Sequence, residues 1–237
     1  MGRTATGSKR NRRRREGTDG ESVPLSRDAV LASALDVINH EGVERLTIRR
    51  LAEALGVSPM AIYRHVTNKA DLLDGALDLL MRDARVTAHD EADWIDWLCE
   101  TFLRMRATLL AQSGALALIM SHASLGSQAL GVMEEVLAKL SQRGIPPLAA
   151  ARLFHHFMSY TLGSIAMLGP ILQRDSELAD PQERTRRIRA SFELLSGSQF
   201  PQVTHHAAEL AAAFRDEAFT SEIRRIAKAA TPGEEHH

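Results

Sequence analysis

Apolar residues recur along this chain at intervals of three and four, the spacing that places them on one face of an α-helix. Between residues 25 and 40, the positions of this stripe are Val30, Leu31, Ala34, Leu35, Val37 and Ile38. Ser26 stands where an N-cap is needed, and Gly42 stands where the helix has to end. The pattern therefore predicts a first amphipathic helix over this segment.

Two short helices are predicted next, separated by a glycine. Thr47 caps the first, and Gly56 ends it because glycine adopts a left-handed backbone without strain. Ser58 and Pro59 start the second, which is predicted to reach about Val66. The inward-facing set is Leu51, Leu55, Val57, Ile62 and Val66. Two short helices joined by a glycine turn over a shared apolar core form a helix-turn-helix.

The rest of the chain also shows helical periodicity. Asn68 and Asp71 resemble a capping box that opens a long fourth helix. Further helices are predicted over residues 94–111, 128–142, 147–168, 181–195, 204–214 and 217–229. Breaks are expected near Gly114, Gly126, Gly144 to Pro147, Gly169 to Pro170 and Gly197 to Pro201. The sequence predicts an all-α fold, with a helix-turn-helix DNA-binding domain at residues 25–69 and a larger helical domain at residues 70–230.

The outward face of the second short helix mixes apolar and hydrogen-bonding groups. In a helix-turn-helix this helix enters the major groove and presents its N-terminal residues to the bases. Pro59 and Met60 are predicted to meet thymine methyl groups, Arg64 a phosphate or a guanine, and Tyr63 a phosphate. Helix ends place further side chains against phosphates on either side of the groove. The full set predicted to contact DNA is Thr47, Arg49, Ser58, Pro59, Met60, Tyr63, Arg64, His65 and Lys69.

Charge supports a nucleic-acid partner at two places. Residues 47–69 contain four Arg or Lys side chains against one Glu, a net charge of +3. Residues 1–22 carry seven basic against three acidic side chains, a net charge of +4, which leaves −5 for the rest of a chain whose total is −1. A block of like charges resists folding, so residues 1–24 are predicted to be a disordered basic tail. Such a tail either contacts phosphates or is a solvated terminus, and both interpretations are open.

Other features exclude several classes of protein. Cys99 is the only cysteine, which excludes an intrachain disulfide framework, and no window is apolar and long enough to cross a bilayer. The basic N-terminus lacks the apolar run of an export signal, so a cytoplasmic location is expected. No nucleophile motif, phosphate-binding glycine loop or paired-carboxylate signature is found, and neither an enzyme nor a cofactor is expected. Residues 231–237 are predicted to be a disordered C-terminal tail.

The segment from Leu25 to about Leu80 resembles the DNA-binding domain of the TetR family of regulators. The resemblance is carried by Thr47, Leu51-Ala52, the Leu55-Gly56-Val57 turn, Tyr63, His65, the Asn68-Lys69 pair and Leu72-Leu73. The second part resembles the C-terminal domain of the tetracycline-repressor branch, through Phe200-Pro201 and the closing segment Phe219 to Ile226. Glu222 stands in that segment where the family usually has glycine.

This resemblance implies a homodimer that binds a pseudo-palindromic operator and releases it when a small-molecule effector of unknown identity enters the C-terminal domain. Dimerisation also has an independent argument, because one helix-turn-helix makes few contacts and two half-sites about one helical turn apart multiply them. Residues 147–168 and 217–229 are the candidate interface helices, with core packing as the alternative for their apolar residues. The small residues Gly163 and Ser164 would allow a second helix to approach closely.

Methionine and aromatic side chains of the second domain are candidates for an adaptable apolar pocket, because thioethers fill irregular space. The pocket is predicted at Trp97, Phe102, Met105, His122, Met133, His155 and Met158, with core filling as the alternative. The local pattern with which tetracycline repressors bind their magnesium-chelated drug is not found between residues 100 and 125, so tetracycline is not supported as the ligand. Adjacent histidines at residues 155–156 and 205–206 point to different faces of a helix, and no metal site is predicted.

A ligand-responsive repressor is the leading hypothesis, in which occupancy of the pocket shifts the fourth helix and changes the separation of the two recognition helices. The second hypothesis is a nonspecific architectural DNA-binding protein that relies on the basic tail. The third is an enzyme whose helical domain performs chemistry and uses DNA only for tethering. Deleting residues 1–22 separates the first two hypotheses, because only the second requires the tail for binding.

Overall fold

The structure, a computed structural model, describes residues 25–84, 93–121, 126–174 and 180–230. These residues form helices joined by turns, with no β-strand among them, which confirms the predicted all-α fold. The helices are α1 (Arg27–Glu41), α2 (Ile48–Leu55), α3 (Pro59–Ile62), α4 (Lys69–Ala84), α5 (Trp94–Leu110), α6 (Ala115–Ser121), α7 (Ser127–Gln142), α8 (Pro147–Arg174), α9 (Pro181–Glu193), α10 (Pro201–His205), α11 (Ala207–Ala212) and α12 (Asp216–Ala230), with a 3-10 turn at Val43–Arg45. The two predicted tails, residues 1–24 and 231–237, lie outside the described residues.

The first two helices begin and end at the residues that their sequence predicts. Ser26 accepts a hydrogen bond from the amide of Ala29 at 3.1 Å, and the apolar stripe of α1 is buried. Thr47 caps α2 by accepting the amide of Arg50 at 3.0 Å. Gly56 ends α2 in a left-handed conformation with φ of +65°, which a side chain would strain. The caps and the stop signal of the predicted helix-turn-helix are therefore confirmed.

Helix α3 is shorter than predicted. Ser58 caps it as expected, but α-helical structure ends at Ile62 and the chain continues as a turn to Val66. In this turn the amide of His65 bonds the carbonyl of Ile62, three residues earlier. The carbonyl of His65 accepts a hydrogen bond from the guanidinium of Arg27 in α1 rather than from a following turn of helix. The predicted extension of the α-helix to Val66 is therefore wrong, although Val66 is buried as expected.

Helix α4 connects the DNA-binding domain to the rest of the chain. The side chain of Asn68 accepts the amide of Asp71 at 2.9 Å, and the Asp71 carboxylate accepts the amide of Thr67 at 2.7 Å. These reciprocal bonds are those expected of a capping box, displaced by one residue. Helix α4 packs against α1, α5 and α7. Its buried residues include Leu72, Leu73, Ala76, Leu77 and Leu80.

The larger domain is built around α5. This helix packs against α4, α8 and α12, and α7 packs against α4 and α8. Phe102 of α5 and Phe157 of α8 are fully buried, with ring centroids 5.2 Å apart. Helix α9 packs against α10 and α11. This group of three helices leaves Leu194 and Leu210 exposed to solvent.

The predicted break at Gly169 to Pro170 is wrong, because α8 continues through Pro170 to Arg174. A proline inside a helix has no amide to bond the carbonyl four residues earlier. Here that carbonyl belongs to Ala166, which is exposed, so water can satisfy it. The last turn is also held from outside, because the side-chain amide of Gln173 donates to the carbonyl of Ser113 at 3.2 Å.

Two further differences concern short helices. The break at Gly114 is confirmed, but α6 follows it at once and was not predicted. The helix predicted over residues 204–214 is two helices, α10 and α11, which meet at His206. Segments of five to seven residues are too short to show a helical period. The helices predicted over residues 94–111, 128–142, 181–195 and 217–229 are confirmed to within two residues.

Candidate DNA-binding interface

The recognition segment, defined as α3 and the turn that follows it to Val66, presents large side chains to solvent. Met60 and Tyr63 are 69% and 49% exposed. Ile62, on the other side of the same segment, is fully buried together with Leu51 of α2. One side of the recognition segment therefore fills the core, and the other is available to a partner.

Eight of the nine residues predicted to contact DNA are exposed, and His65 is half-buried. They lie on three consecutive elements: α2 with its N-cap, the recognition segment with its N-cap, and the first residue of α4. Thr47 and Ser58 accept backbone amides through their hydroxyl oxygens. Each hydroxyl keeps its hydrogen for donation to a phosphate, so capping a helix and contacting DNA are compatible.

The two neighbouring arginines of α2 have different partners. Arg49 forms an exposed ion pair with Glu53 at 3.0 Å. Such a pair contributes less than about 1 kcal/mol, so a phosphate can compete for the guanidinium. Arg50 instead bonds both carboxylate oxygens of Glu41 in α1, and this lowers the pKa of the Glu41 carboxyl. The positive charge of Arg50 is therefore used within the domain, and Arg49 is the arginine of α2 that is open to DNA.

Arg27, which the sequence did not single out, holds the end of the recognition segment. Its guanidinium donates to the carbonyl of His65 and pairs with Asp71 at 2.6 Å. Asp71 also accepts the amide of Thr67. The pKa of Asp71 lies below its ordinary value, chiefly because of the Arg27 hydrogen bond and then because of the Thr67 amide. These four residues, the Arg27 clamp, join α1, the recognition segment and α4.

The residues predicted to line a ligand pocket are divided between core and surface. Trp97, Phe102 and Met105 are at most 2% exposed on α5. Met133 of α7 and Met158 of α8 are half-buried, and His155 is exposed. His122 lies outside the described residues. Core packing therefore accounts for the placement of the three residues on α5.

Two buried polar atoms of α5 make no hydrogen bond within the described part of the chain. They are the indole nitrogen of Trp97 and the hydroxyl of Thr101, and both residues are 2% exposed. Residues four apart lie on the same face of a helix. The ammonium group of Lys139 lies 4.9 Å from the centroid of the Trp97 ring, a cation–π contact. Unsatisfied buried polar groups are costly, so a hydrogen-bond partner for either atom would be stabilising.

Arg106 lies between two cavities. Its guanidinium donates to the Ser164 hydroxyl at 3.0 Å and the Phe214 carbonyl at 3.1 Å, and it forms an ion pair with Asp216. One cavity, of about 450 Å³, lies where α5, α8 and α9 meet. The other, of about 420 Å³, is lined mainly by apolar side chains, with Tyr160, Met167, Phe192, Leu210 and Phe214 among them. Both volumes fall in the range of small-molecule pockets, and neither cavity is lined by a residue of the predicted pocket.

The paired histidines of the chain lie on the surface. His155, His156, His205 and His206 are all exposed. Across residues 25–84, 93–121, 126–174 and 180–230, no three or more His, Cys, Asp and Glu side chains are grouped so that they could hold a metal ion. None of the helices described there has the length and apolar character needed to span a membrane.

Two family domains match the chain. Residues 30–76 match the domain described as bacterial regulatory proteins, tetR family. Residues 87–226, more than half of the 237 residues, match the tetracyclin repressor-like C-terminal domain. The chain belongs to the TetR family. The resemblance carried by Thr47, Tyr63 and Lys69 is thereby confirmed, and the chain is a DNA-binding transcriptional regulator.

Several bacterial regulators are similar to this chain. Tetracycline repressor protein class C from Escherichia coli is 32% identical over 162 residues, which cover 68% of this chain and 71% of the repressor. An HTH-type transcriptional regulator from Saccharopolyspora erythraea is 28% identical over 182 residues, which cover 75% of each protein. The TetR family protein ActR from Streptomyces coelicolor, solved in complex with actinorhodin, shares the fold with a TM-score of 0.68 at 22% identity, over 87% of this chain and 95% of ActR.

Proposed function

We propose that this TetR-family regulator binds a pseudo-palindromic DNA operator as a homodimer and releases it when a small molecule enters the C-terminal domain. The observation that carries the proposal is the exposure of Met60 and Tyr63 on a segment whose backbone the Arg27 clamp holds. A pre-organised surface loses little conformational entropy when it binds. The proposed contact set is completed by Thr47, Arg49, Ser58, Pro59, Arg64, His65 and Lys69.

Selection of bound duplexes from a random DNA pool tests the operator. We expect an inverted repeat whose half-sites are centred about 10 base pairs, or a multiple of that, apart, because two recognition segments related by a two-fold axis must reach successive turns of the major groove. A bound pool without a common sequence would contradict the proposal and would favour a nonspecific DNA-binding protein.

Variants of the recognition face test the proposed contacts on the selected duplex. Tyr63→Ala should weaken binding about fivefold or more through the loss of one hydrogen bond to a phosphate. Lys69→Ala should weaken binding and reduce the slope of log K against log salt concentration by about 0.9. Arg143→Ala removes one positive charge from an exposed position after α7, outside the proposed contact set, and is the matched control. Unchanged affinity for both variants in a fluorescence anisotropy titration would refute the contact set.

The homodimer is proposed to form through α8 and α12. Core packing within the chain accounts for some apolar residues of α8, namely Leu153, Phe157, Ile165 and Leu168. Gly163 and Met167 are exposed one turn apart on α8, Met167 to 64%, and no atom lies within 4 Å of the Cβ position of Gly163. Leu148→Glu would place a charge at a 64% exposed position of α8 that lines neither cavity, so light scattering after size exclusion should show a monomer. A dimer that persists in this variant and in Gly163→Arg would place the interface elsewhere.

The effector is proposed to bind within the C-terminal domain, where there are two candidate sites. The Trp97–Thr101 face supplies unsatisfied polar groups, and the cavity beside Tyr160 supplies volume. Actinorhodin is a reasonable probe because ActR was solved with it. If the probe binds, thermal unfolding of the protein should shift upwards and DNA should be released. Loss of this shift in Thr101→Val would favour the α5 face, and loss in Leu210→Glu would favour the cavity.

A further inference from the structure

Asn39, near the C-terminal end of α1, connects the DNA-binding domain to the C-terminal domain by three hydrogen bonds. Its side-chain oxygen accepts the amide of Gly114 at 2.9 Å, and its side-chain amide donates to the side-chain oxygen of Gln112. Its backbone carbonyl accepts the hydroxyl of Ser113 at 2.7 Å. One residue of α1 therefore bonds three of the four residues between α5 and α6.

The fit at this turn depends on the absence of a side chain at Gly114. A Cβ atom there would lie 2.8 Å from the backbone carbonyl oxygen of Ile38, a distance that such atoms do not tolerate. The φ of Gly114 is not in the left-handed region, so the glycine serves close approach rather than backbone shape. The end of α1 and the α5–α6 turn are thus in direct backbone contact.

Each side of this contact is connected to a further part of the structure, the turn to α8 and Asn39 to the start of α1. On one side, Gln173 near the end of α8 donates to the carbonyl of Ser113, so the turn is tied to the long helix that passes through the C-terminal domain. On the other side, α1 begins at Arg27, which holds the recognition segment through His65. Twelve residues of α-helix between Arg27 and Asn39 span about 18 Å. A movement of the turn can therefore reach the recognition segment through α1.

Helix α4, which continues directly from the DNA-binding domain, is itself anchored to the rest of the C-terminal domain. The carboxylate of Asp78 accepts the amide of Gln128 at 3.0 Å and the hydroxyl of Ser127 at 2.9 Å, at the beginning of α7. A domain that is held at one point can pivot, whereas a domain held at two separated points has a defined orientation. Asn39 and, through α4, Asp78 supply these two points.

We propose that Asn39 is a positioning residue that couples the state of the C-terminal domain to the recognition segment through α1, beside the covalent route through α4. The proposal rests on the function proposed above and deepens its regulation. Coupling between two sites is reciprocal. DNA bound at the recognition segment must therefore stabilise the α5–α6 turn and the end of α8. Neither of these segments carries a proposed DNA contact. Asn39 must be required for this stabilisation.

Hydrogen exchange of the full-length protein, with and without a duplex selected from a random pool, tests this. In the wild type we expect DNA to slow the exchange of amides in residues 112–121 and 165–174. In Asn39→Ala the ratio of exchange rates without and with DNA should fall by about fivefold or more. The variant should still bind the same duplex. Asp36→Ala, at an exposed position of the same helix, is the matched control and should behave as the wild type.

Two more variants separate coupling from a general loss of structure. Asn39→Asp keeps an oxygen for the Gly114 amide, and the Gln112 side chain can rotate to donate to the new carboxylate, so coupling should be restored. Gly114→Ala forces the turn away from Ile38 and should lose coupling although Asn39 is intact. An unchanged exchange pattern in Asn39→Ala or in Gly114→Ala, with DNA bound, would overturn the proposal. Failure of the wild type to bind any selected duplex would instead contradict the proposed function.

Discussion

Replacing Arg27 with alanine removes the clamp on the recognition segment without altering any residue proposed to meet DNA. The hydrogen bond to the His65 carbonyl and the ion pair with Asp71 are lost. Because the Arg27 and Asp71 side chains are 45% and 27% exposed, the ion pair counts as a surface pair of about 0.5 to 1 kcal/mol. The hydrogen bond adds about 1 kcal/mol. We therefore expect the free energy of unfolding to fall by about 1.5 to 2 kcal/mol.

The same loss should appear in DNA binding, because an unclamped segment has to be ordered again on the duplex. If the whole free energy is needed for binding, affinity falls by about 10- to 30-fold. The slope of log K against log salt concentration should stay that of the wild type, since no phosphate contact is removed. Anisotropy titrations at four salt concentrations measure both quantities, with Arg45→Ala at an exposed position as the control. Unchanged affinity, or a slope reduced by about 0.9, would refute the reasoning.

The clamp also predicts a dependence on pH. The pKa of Asp71 is depressed in the folded protein, first by Arg27 and then by the Thr67 amide. A depressed carboxyl pKa stabilises the fold fully above the ordinary value of about 3.9, and the contribution disappears as pH falls through the lower folded value. The difference in unfolding free energy between wild type and Arg27→Ala should therefore be constant from about pH 7 to 5 and shrink below about pH 4. Urea titrations that show the difference growing in acid would contradict this assignment.

Three further changes have defined expectations. Gly56→Ala forces a left-handed conformation on a residue with a side chain, so it should destabilise the protein by about 1 kcal/mol or slightly more; an unchanged midpoint of thermal unfolding would show that the turn relaxes. Ile62→Ala, at a fully buried position, should cost about 2 to 5 kcal/mol in urea unfolding, whereas a cost below 1 kcal/mol would mean that the core collapses into the space. Deletion of residues 1–22 should leave the preference for the selected duplex intact; loss of all binding would support the nonspecific alternative.

The N-terminal helices could be predicted because their signals act over short distances. Ser26, Thr47 and Ser58 each cap an amide three residues ahead, and Gly56 ends α2 through its own backbone. The length of α3 could not be predicted in this way. The turn that follows α3 is held by Arg27, which is 38 residues from His65 in sequence and close to it only after folding.

The C-terminal domain could be predicted in its helices but not in its cavities. Periodicity identifies the buried face of a helix without showing whether that face meets another helix or a ligand. Trp97, Phe102 and Met105 were expected at a pocket, with core filling as the alternative, and they are buried in the core. Arg106, which does border cavities, is positioned by groups 58 and 110 residues away, and no local pattern marks it. Pro170 was expected to stop α8, but exposure of its turn and the bond from Gln173 let the helix continue.

The contact between Asn39 and Gly114 has a consequence for engineering chimeric regulators. The DNA-binding domain of one family member can be exchanged for that of another at a junction inside α4, which keeps the chain continuous. The two residues of this contact then come from different proteins. If the C-terminal domain had a side chain at position 114, its Cβ atom would lie 2.8 Å from the carbonyl oxygen of Ile38. A DNA-binding domain joined to this C-terminal domain should therefore carry asparagine at position 39. A C-terminal domain joined to this DNA-binding domain should carry glycine at position 114, so that the two domains of the chimera remain coupled.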